Sequence, residues 1–497
     1  MFSRITITVS LATALVVPAP SPSFASPGAE TPLTAEAVDA YVADYLDATP
    51  LPGAAVAVTR GREVVRAAGY GVDSRGGPMS ARTPMGTASV GKAFTAVTVM
   101  TLVEGGAIAL DDPVVAHLPE FAVDDPRGDE ITVRQLLTHT SGMSDVGFRE
   151  KSEPTTGDLE GAVARLSDAS LVADPGAEEH YHNPNYHVLA RMVEVVEGRP
   201  FAEVLDERVL APLGMVDTVT VDTAEEVFAA GVASGHVSVL GRAVALPEPE
   251  GYVNGSGGMV STADDMARWL IAQYSGGAGP DDGRILSPGG WEATLAPLGG
   301  EGPGADRAFG WSVGRTGTGA PLISHGGIQF TYTAHQALLP ESGVGIAVMA
   351  GTGLGSGDAA NLMWGLVALV EGVEPPAPVG VWLLVVDVVL VVSMGVVVFF
   401  AVRGVRRAPG WALAVRGRRW RFPVGALGAA VVVAAASFPH RWISVSAGGR
   451  DLTWTQALYT VPTSVVFLVV ATTAVTVVWA VRVGVLVRRA AASAAAR

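Results

Sequence analysis

A hydroxyl and an amine set three residues apart offer this chain its clearest chemistry. In the run ASVGKAFTAVTVMTLVEGG, Ser89 and Lys92 open a segment that is apolar on nearly every side and stops at Gly105-Gly106. That pattern predicts a buried helix ended by glycine, with both side chains on one face of its first turn. A hydroxyl held against an amine at a helix N-terminus suits nucleophilic catalysis, because backbone N–H groups and a partial positive charge there stabilise a developing oxyanion. Burial disfavours the ammonium, and each unit of lowered pKa corresponds to about 1.4 kcal/mol. A neutral Lys92 then accepts the proton of Ser89. Lysine usage sharpens this expectation: 33 basic residues include only two lysines, Lys92 and Lys151. Arginine has no neutral form at working pH, so a position that keeps lysine keeps something arginine lacks. The plainer alternative is a Ser89 N-cap followed by a surface lysine, and the apolar surroundings weigh against it.

Such a pair needs elements to hold it. Two β-rich runs joined at Arg60-Gly61 read as a hairpin, as do the residues from Thr333 to Val348 around a turn at 340–343. Helices are expected over 90–104, 186–197, 262–273 and 358–371. Strands gather at both ends of this region and helices in its middle. The expected fold class is therefore α/β: one antiparallel sheet assembled from distant segments, flanked by helices and interrupted by a helical subdomain.

Composition bounds the rest. The chain has 497 residues and no cysteine, which excludes a structural disulfide, a thiolate nucleophile and a thiolate metal cage. Its 48 acidic residues fall almost entirely before residue 380, and 13 arginines with just two acids, Asp387 and Asp451, follow it. An acidic front argues against nucleic acid as a partner, since phosphate binding needs clustered cations. Residues 1–25 carry one early arginine, an apolar run and a small-residue Ser-Phe-Ala end, the pattern of a secretory signal peptide; an uncleaved anchor is the alternative. A proline-rich linker at 372–380 precedes three apolar runs, 381–402, 422–439 and 461–481, expected as membrane spans. The loop between the first two holds seven arginines and no acid, so the positive-inside rule puts it and the tail in the cytoplasm and the 440–456 loop outside. The expected location is the cell membrane, multi-pass, with the main domain outside the cytoplasm. Asp387, two turns into the first run, is expected near the outer interface or paired within the bundle.

A set of ordered motifs then carries a resemblance. The runs MGTASVGKAFTAVTVMTLVEGGAIALDDPVVAHLPEF, ITVRQLLTHTSGM, YHNPNYHVLARMVE, APLGMVDT, GGMVSTADDMARWL and HGG resemble those of serine β-lactamases and penicillin-binding-protein-like hydrolases, in the class C branch. That branch includes D-Ala-D-Ala carboxypeptidases, D-amino-acid-specific peptidases and certain esterases. The likeness covers roughly residues 35–371. It implies a sheet of five or more strands beside a helical subdomain, with the active site between them. It also implies Ser89 and Lys92 as the family's Ser-x-x-Lys, and Tyr181 and Asn183 as its Tyr-x-Asn, with tyrosine sharing the general-base role and asparagine orienting the substrate amide. The third motif, usually Lys-Thr-Gly, falls on His325-Gly326-Gly327. There Gly327 is expected to let substrate lie close to the strand, and the Ile328 N–H to join that of Ser89 as the oxyanion hole. With His325 in place of lysine, a permanent cation for a drug carboxylate is gone, which favours peptidase, carboxypeptidase or esterase activity over a strong β-lactamase.

Other signals yield to simpler readings. Tyr186, at the start of an apolar helix, reads as core. His180, His182 and His187 read as solvent or helix-start histidines rather than a metal site, Ser144-Asp145 lacks the asparagine of a Ser-Asp-Asn element, and Asn254-Gly255-Ser256 reads as a loop rather than a glycosylation site. The expectation is thus a membrane-anchored serine hydrolase acting through an acyl-enzyme on an amide, a peptide (with a D-amino acid among the candidates) or an ester. It calls for a small-molecule or peptide substrate, no cofactor and no metal, and leaves the oligomeric state open. The competing readings are a penicillin-binding sensor, a non-catalytic assembly protein of the same fold, and a carboxylesterase or weak β-lactamase.

Overall fold

Side-chain alternation builds the middle of the protein. Along one strand Ala54, Val56 and Val58 face one apolar layer while Ala55 and Ala57 face another, so the sheet that contains them is covered on both sides. The computed structural model describes residues 33–497 except 298–303, 305, 354, 378–379, 418–420, 438–439, 442–443, 445–449 and 496–497. The expected signal peptide and parts of the linker and loops lie outside the described residues.

In chain order the described strands are β1 (Gly53–Arg60), β2 (Glu63–Gly71), β3 (Met85–Gly86), β4 (Val219–Thr220), β5 (Gly235–Val239), β6 (Arg242–Leu246), β7 (Met259–Ser261), β8 (Arg307–Ala308), β9 (Trp311–Arg315), β10 (Pro321–Ile328), β11 (Thr333–Leu339) and β12 (Val344–Ala350). Seven form one antiparallel sheet in the order β2-β1-β12-β11-β10-β9-β8. The first hairpin therefore pairs with the last strand, with Val56 opposite Val348, as the placement of strands at both ends of the sequence anticipates. Short strands β3, β7 and β4 form a second sheet, and β5 and β6 a hairpin of their own.

Helices Ala35–Ala48 and Asp358–Val370 cover one face of the large sheet, and Tyr45 Oη donates to Asp358 Oδ1 at 2.7 Å to tie them together. The other face meets helices Gly91–Glu104 and Ala263–Tyr274, beyond which lies the helical insertion that includes Pro184–Glu197. Twelve consecutive residues of the Gly91–Glu104 helix, from Gly91 to Leu102, are buried, so its apolar circumference is matched by packing on all sides. Phe94 stacks on Trp269 at 3.8 Å between ring centroids, and Trp269 Nε1 donates to Gln336 Oε1 of β11 at 2.9 Å.

After the α/β part come two helices long and apolar enough to cross a membrane, Leu383–Arg406 and Pro462–Ser493, with almost none of their apolar windows buried. The second of the three expected spans, 422–439, is described only as far as residue 437. Its helix, Arg421–Ala436, has 16 residues. At 1.5 Å per residue it rises about 24 Å, short of a hydrocarbon core of roughly 30 Å. Asp387 also finds a partner not anticipated: its Oδ2 accepts the Leu240 N–H, at the tip of the β5–β6 hairpin, at 2.7 Å.

The Phe94–Trp269 stack joins the nucleophile-bearing helix to its neighbour. Phe94→Ala is expected to cost about 3–5 kcal/mol of stability, read as a lower midpoint in thermal denaturation of the detergent-solubilised chain; an unchanged midpoint would show that the stack contributes little.

Candidate active site

Ser89 owes its position to contacts on both sides of the chain that carries it. Thr87 donates to the Met259 carbonyl from its N–H at 2.9 Å and from its hydroxyl at 3.2 Å, which fastens the segment to β7. Ala88 then takes φ of 49°, a left-handed conformation uncommon for a residue with a Cβ. A short 3-10 turn, Ala88–Val90, presents Ser89 before the long helix begins at Gly91. On its other side this turn lies against β10. A Cβ at Gly327 would stand 2.2 Å from the Thr87 carbonyl oxygen and 3.2 Å from Ser89 N. On this side of the strand the close approach that Gly327 permits is made by the nucleophile's own backbone.

Lys92 is fully buried, and its ammonium donates to Ser89 Oγ at 3.0 Å, Asn183 Oδ1 at 3.0 Å and the Ser256 carbonyl at 2.7 Å. Those three acceptors, with the Tyr181 phenol beside them, surround the nitrogen with protein polar groups. Burial lowers the lysine pKa from its ordinary value, although Tyr181 and Glu150 oppose the shift. The Tyr181 ring lies 5.0 Å from Lys92 Nζ, and the phenol hydrogen-bonds with Lys92 and Ser89. Burial alone would raise the phenol's pKa; the Lys92 charge, those hydrogen bonds and Arg450 together bring it below the usual tyrosine value. An amine easier to deprotonate than usual and a phenol easier to ionise than usual thus share one hydroxyl.

The structure brings Ser89, Lys92, Tyr181 and Asn183 together, and places His325 beside them with its ring 6.1 Å from that of Tyr181. His325 is buried, its Nδ1 is 2.8 Å from the Gly326 carbonyl, and burial with help from the Lys92 and Arg307 charges pushes its pKa down to about 3. It is a neutral ring at working pH. Ile328 is exposed and, with Ser89, Asn183 and Ser256, lines a cleft of about 110 Å³. Tyr186 is core, its hydroxyl donating to the Leu137 carbonyl at 2.9 Å.

Several residues of the site carry no local signal. His139, at φ 60°, packs its ring 4.4 Å from that of Tyr181, and its Nδ1 accepts from Asn185 Nδ2 at 3.0 Å and from the His182 N–H at 3.3 Å. The Asn254-Gly255-Ser256 turn is a structural arm of the site, because Ser256 accepts from Lys92 and Gly255 from Thr95 Oγ1 at 2.7 Å. His182 and His187 are wholly buried, contrary to the expectation of solvent or helix-start positions. His182 Nδ1 pairs with Asp145 Oδ1 at 2.8 Å and His187 Nε2 with Ser256 Oγ at 2.9 Å, while His180 meets Glu178, so the three histidines do not converge. Glu150 and Lys151, the second lysine, line the cleft.

Residues 38–370 match the profile of the family described as Beta-lactamase. The chain belongs to that family. Among curated beta-lactamase-family relatives, it is 33% identical over 270 residues to Esterase EstB of Burkholderia gladioli, covering 47% of this chain and 69% of that one. It is 30% identical over 350 residues to Penicillin-binding protein 4 of Amycolatopsis lactamdurans, covering 66% and 87%. Among solved structures, the octameric penicillin-binding protein homologue from Pyrococcus abyssi superposes with a TM-score of 0.58 at 26% identity, over 68% of this chain and 78% of that one. Members of the beta-lactamase family are in general serine hydrolases, and the relatives here include both an esterase and a penicillin-binding protein.

Two predictions come from this geometry. Gly327→Ala has no room for its methyl group, so the turn bearing Ser89 must move; labelling of Ser89 by a fluorophosphonate should slow at least roughly tenfold, the equivalent of about 1.4 kcal/mol. The buried histidines set a pH dependence of stability. His325, His139 and His187 stay neutral in the folded chain well below the ordinary value of 6.5 but take up protons when unfolded. Stability is then full above about pH 6.5 and falls progressively as pH drops toward 3, which thermal midpoints measured across that range will show.

Proposed function

We propose that this member of the beta-lactamase family is a membrane-anchored hydrolase, facing outside the cytoplasm, that works through an acyl-enzyme on Ser89. The observation that carries the reading is the contact of a wholly buried Lys92 with Ser89 Oγ at 3.0 Å, under the same Tyr181 phenol. Ser89 Oγ attacks the substrate carbonyl carbon, and its proton passes to the Lys92–Tyr181 pair. The developing oxyanion is held by the N–H groups of Ser89 and Ile328. Tyr181 then protonates the leaving group, and in the second half-reaction it takes a proton from the water that attacks the ester.

The substrate class is an amide, peptide or ester whose group beside His325 carries no carboxylate. Two observations favour that choice. His325 offers a neutral ring where an anionic group would need a cation. The cleft is lined by Glu150, Glu153, Glu248 and Glu250 against Lys151 and Arg165, so its mouth carries more acids than bases, with the Lys92 and Arg450 charges set beside Tyr181. A penicillin, with its carboxylate, is the poorer fit.

The apolar helices support anchoring, and one contact supports a second crossing despite the short middle helix. Arg450 and Asp451, which follow that helix, bond to Asp145 and Ser152 of the α/β part. If the first helix crosses the bilayer, the chain must come back before residue 450 to reach them.

Full-length protein in detergent, treated with a fluorescent fluorophosphonate and a fluorescent penicillin, should label at Ser89 with the first and slowly with the second, as located by mass spectrometry. Ser89→Ala and Lys92→Arg should abolish labelling, and Tyr181→Phe should reduce turnover by roughly 10²–10⁴-fold. Label that persists in Ser89→Ala would refute the assignment. On a panel of D-Ala-D-Ala peptides with free and amidated ends, N-acyl-D-amino acid amides and short-chain esters, the uncharged members should turn over faster.

A further inference from the structure

The α/β part does not enclose the cleft by itself. The segment Arg450–Thr460, between the second and third apolar runs, lies across three of the loops that shape it. Arg450 stands with its guanidinium carbon 5.0 Å over the Tyr181 ring, donates from Nη1 to the Tyr181 carbonyl at 3.2 Å and pairs through Nε with Asp145 Oδ2 at 2.7 Å. The Asp451 N–H donates to that same Asp145 oxygen at 3.0 Å. The other oxygen of Asp145 holds His182, the residue next to Tyr181. One arginine–aspartate pair thus fixes both the backbone carbonyl of Tyr181 and the side chain that follows it.

The rest of the segment continues this contact. The buried Asp451 carboxylate accepts from the N–H and hydroxyl of Ser152, each at 2.8 Å, directly after the cleft residues Glu150 and Lys151. Gln456 lines the cleft itself. Tyr459 donates to the Pro247 carbonyl at 2.8 Å beside Glu248, whose carboxylate holds the N–H groups of Phe330 and Thr331 at 2.7 and 2.8 Å. A Cβ on Gly355 would stand 2.7 Å from the Thr460 carbonyl, so the backbones pack closely there as well.

We propose that the Arg450–Thr460 segment belongs to the active site, with Arg450 as a positioning residue that supplies a fixed positive charge over the face of Tyr181. The proposal rests on Ser89 acting as the acyl-enzyme nucleophile and Tyr181 as its proton partner. Arginine suits the position because its planar fork can lie on a ring and hold a carboxylate at the same time. Its charge favours the phenolate over the phenol, in the same sense as Lys92. The remaining groups near Tyr181 do not replace it. His139 and His325 are neutral, and Arg307 is engaged with Glu179 at 2.6 Å. Of the acids nearby, Asp145 is paired with Arg450, and Glu150 accepts from Asn183 Nδ2 at 3.3 Å and acts on Lys92. A hydrolase domain ending near residue 371 would lack both this charge and the Gln456 side of its cleft.

The test uses the full-length protein in detergent, with the rate of Ser89 labelling by a fluorophosphonate and the hydrolysis of p-nitrophenyl butyrate followed against pH. Arg450→Met is expected to slow both at least tenfold, mainly in kcat, and to move the acidic limb of the pH profile up by about one unit. Arg450→Lys, which keeps the charge, should hold that limb near its wild-type position. Should Arg450→Met fail to fold because Asp145 loses its partner, the double variant Arg450→Met with Asp145→Asn removes the pair together; slow labelling with a displaced limb is expected again. A wild-type rate and pH profile in the folded single or double variant would overturn the proposal. If wild-type Ser89 takes no label at all, it is the hydrolase reading that fails instead.

Discussion

Removing one ammonium from water governs much of this architecture. A buried, unpaired cation is costly by several kcal/mol even after the protein relaxes around it, so Lys92 has to be met by acceptors on every side. Those acceptors come from three places far apart in the sequence: the serine one turn earlier, an asparagine at the start of the Pro184–Glu197 helix, and a carbonyl in the glycine-rich turn before β7. The need to bring them to one point explains why the helical insertion is clamped against the sheet. It also explains why the turn of Ser89 is fastened to β7 and pressed onto β10, through a glycine that has no side chain to keep it away.

What could be read in the amino-acid string follows the range of each interaction. The hairpin at Arg60-Gly61 and the helix ended by Gly105-Gly106 are local events, set by alternation, apolar periodicity and glycine punctuation, and they fall where those signals put them. The Ser89–Lys92 pair was legible because three residues on a helix fix a distance. His139, Ser256 and Asp145 were not, because each acquires its role from a partner 40 or more residues away or from the tail. The burial of His182 and His187 had the same cause: a helix start looks exposed until another layer is packed over it. Rarity of lysine was a better guide than it first looked, since both lysines line or reach the cleft.

Membership of the beta-lactamase family fixes the frame of this protein and leaves its selectivity to a few substitutions. The third motif is the clearest of these. A histidine held neutral by its surroundings places a buried ring and no charge on β10, beside Tyr181. Carboxylates outnumber cations around the mouth of the cleft. Contacts between the tail and the α/β part go further still, because the hairpin tip at Leu240 is bonded to Asp387 of the first apolar helix while Tyr459 reaches Pro247. Among the described residues the α/β and apolar parts of the chain are joined at several points besides the linker.

The three bonds of Lys92 have an implication for the order of events. A charged amine has three hydrogens to give, whereas a neutral one has two and a lone pair. When the proton leaves, Asn183 and the Ser256 carbonyl can each retain a hydrogen, since neither has one to offer back from the atom involved. The serine hydroxyl can reverse direction and become the donor, as can the Tyr181 phenol beside it. Loss of a single proton therefore leaves the nitrogen's lone pair facing the two hydroxyl groups of Ser89 and Tyr181 without any side chain having to rotate, while the amide and carbonyl oxygens keep the two remaining hydrogens.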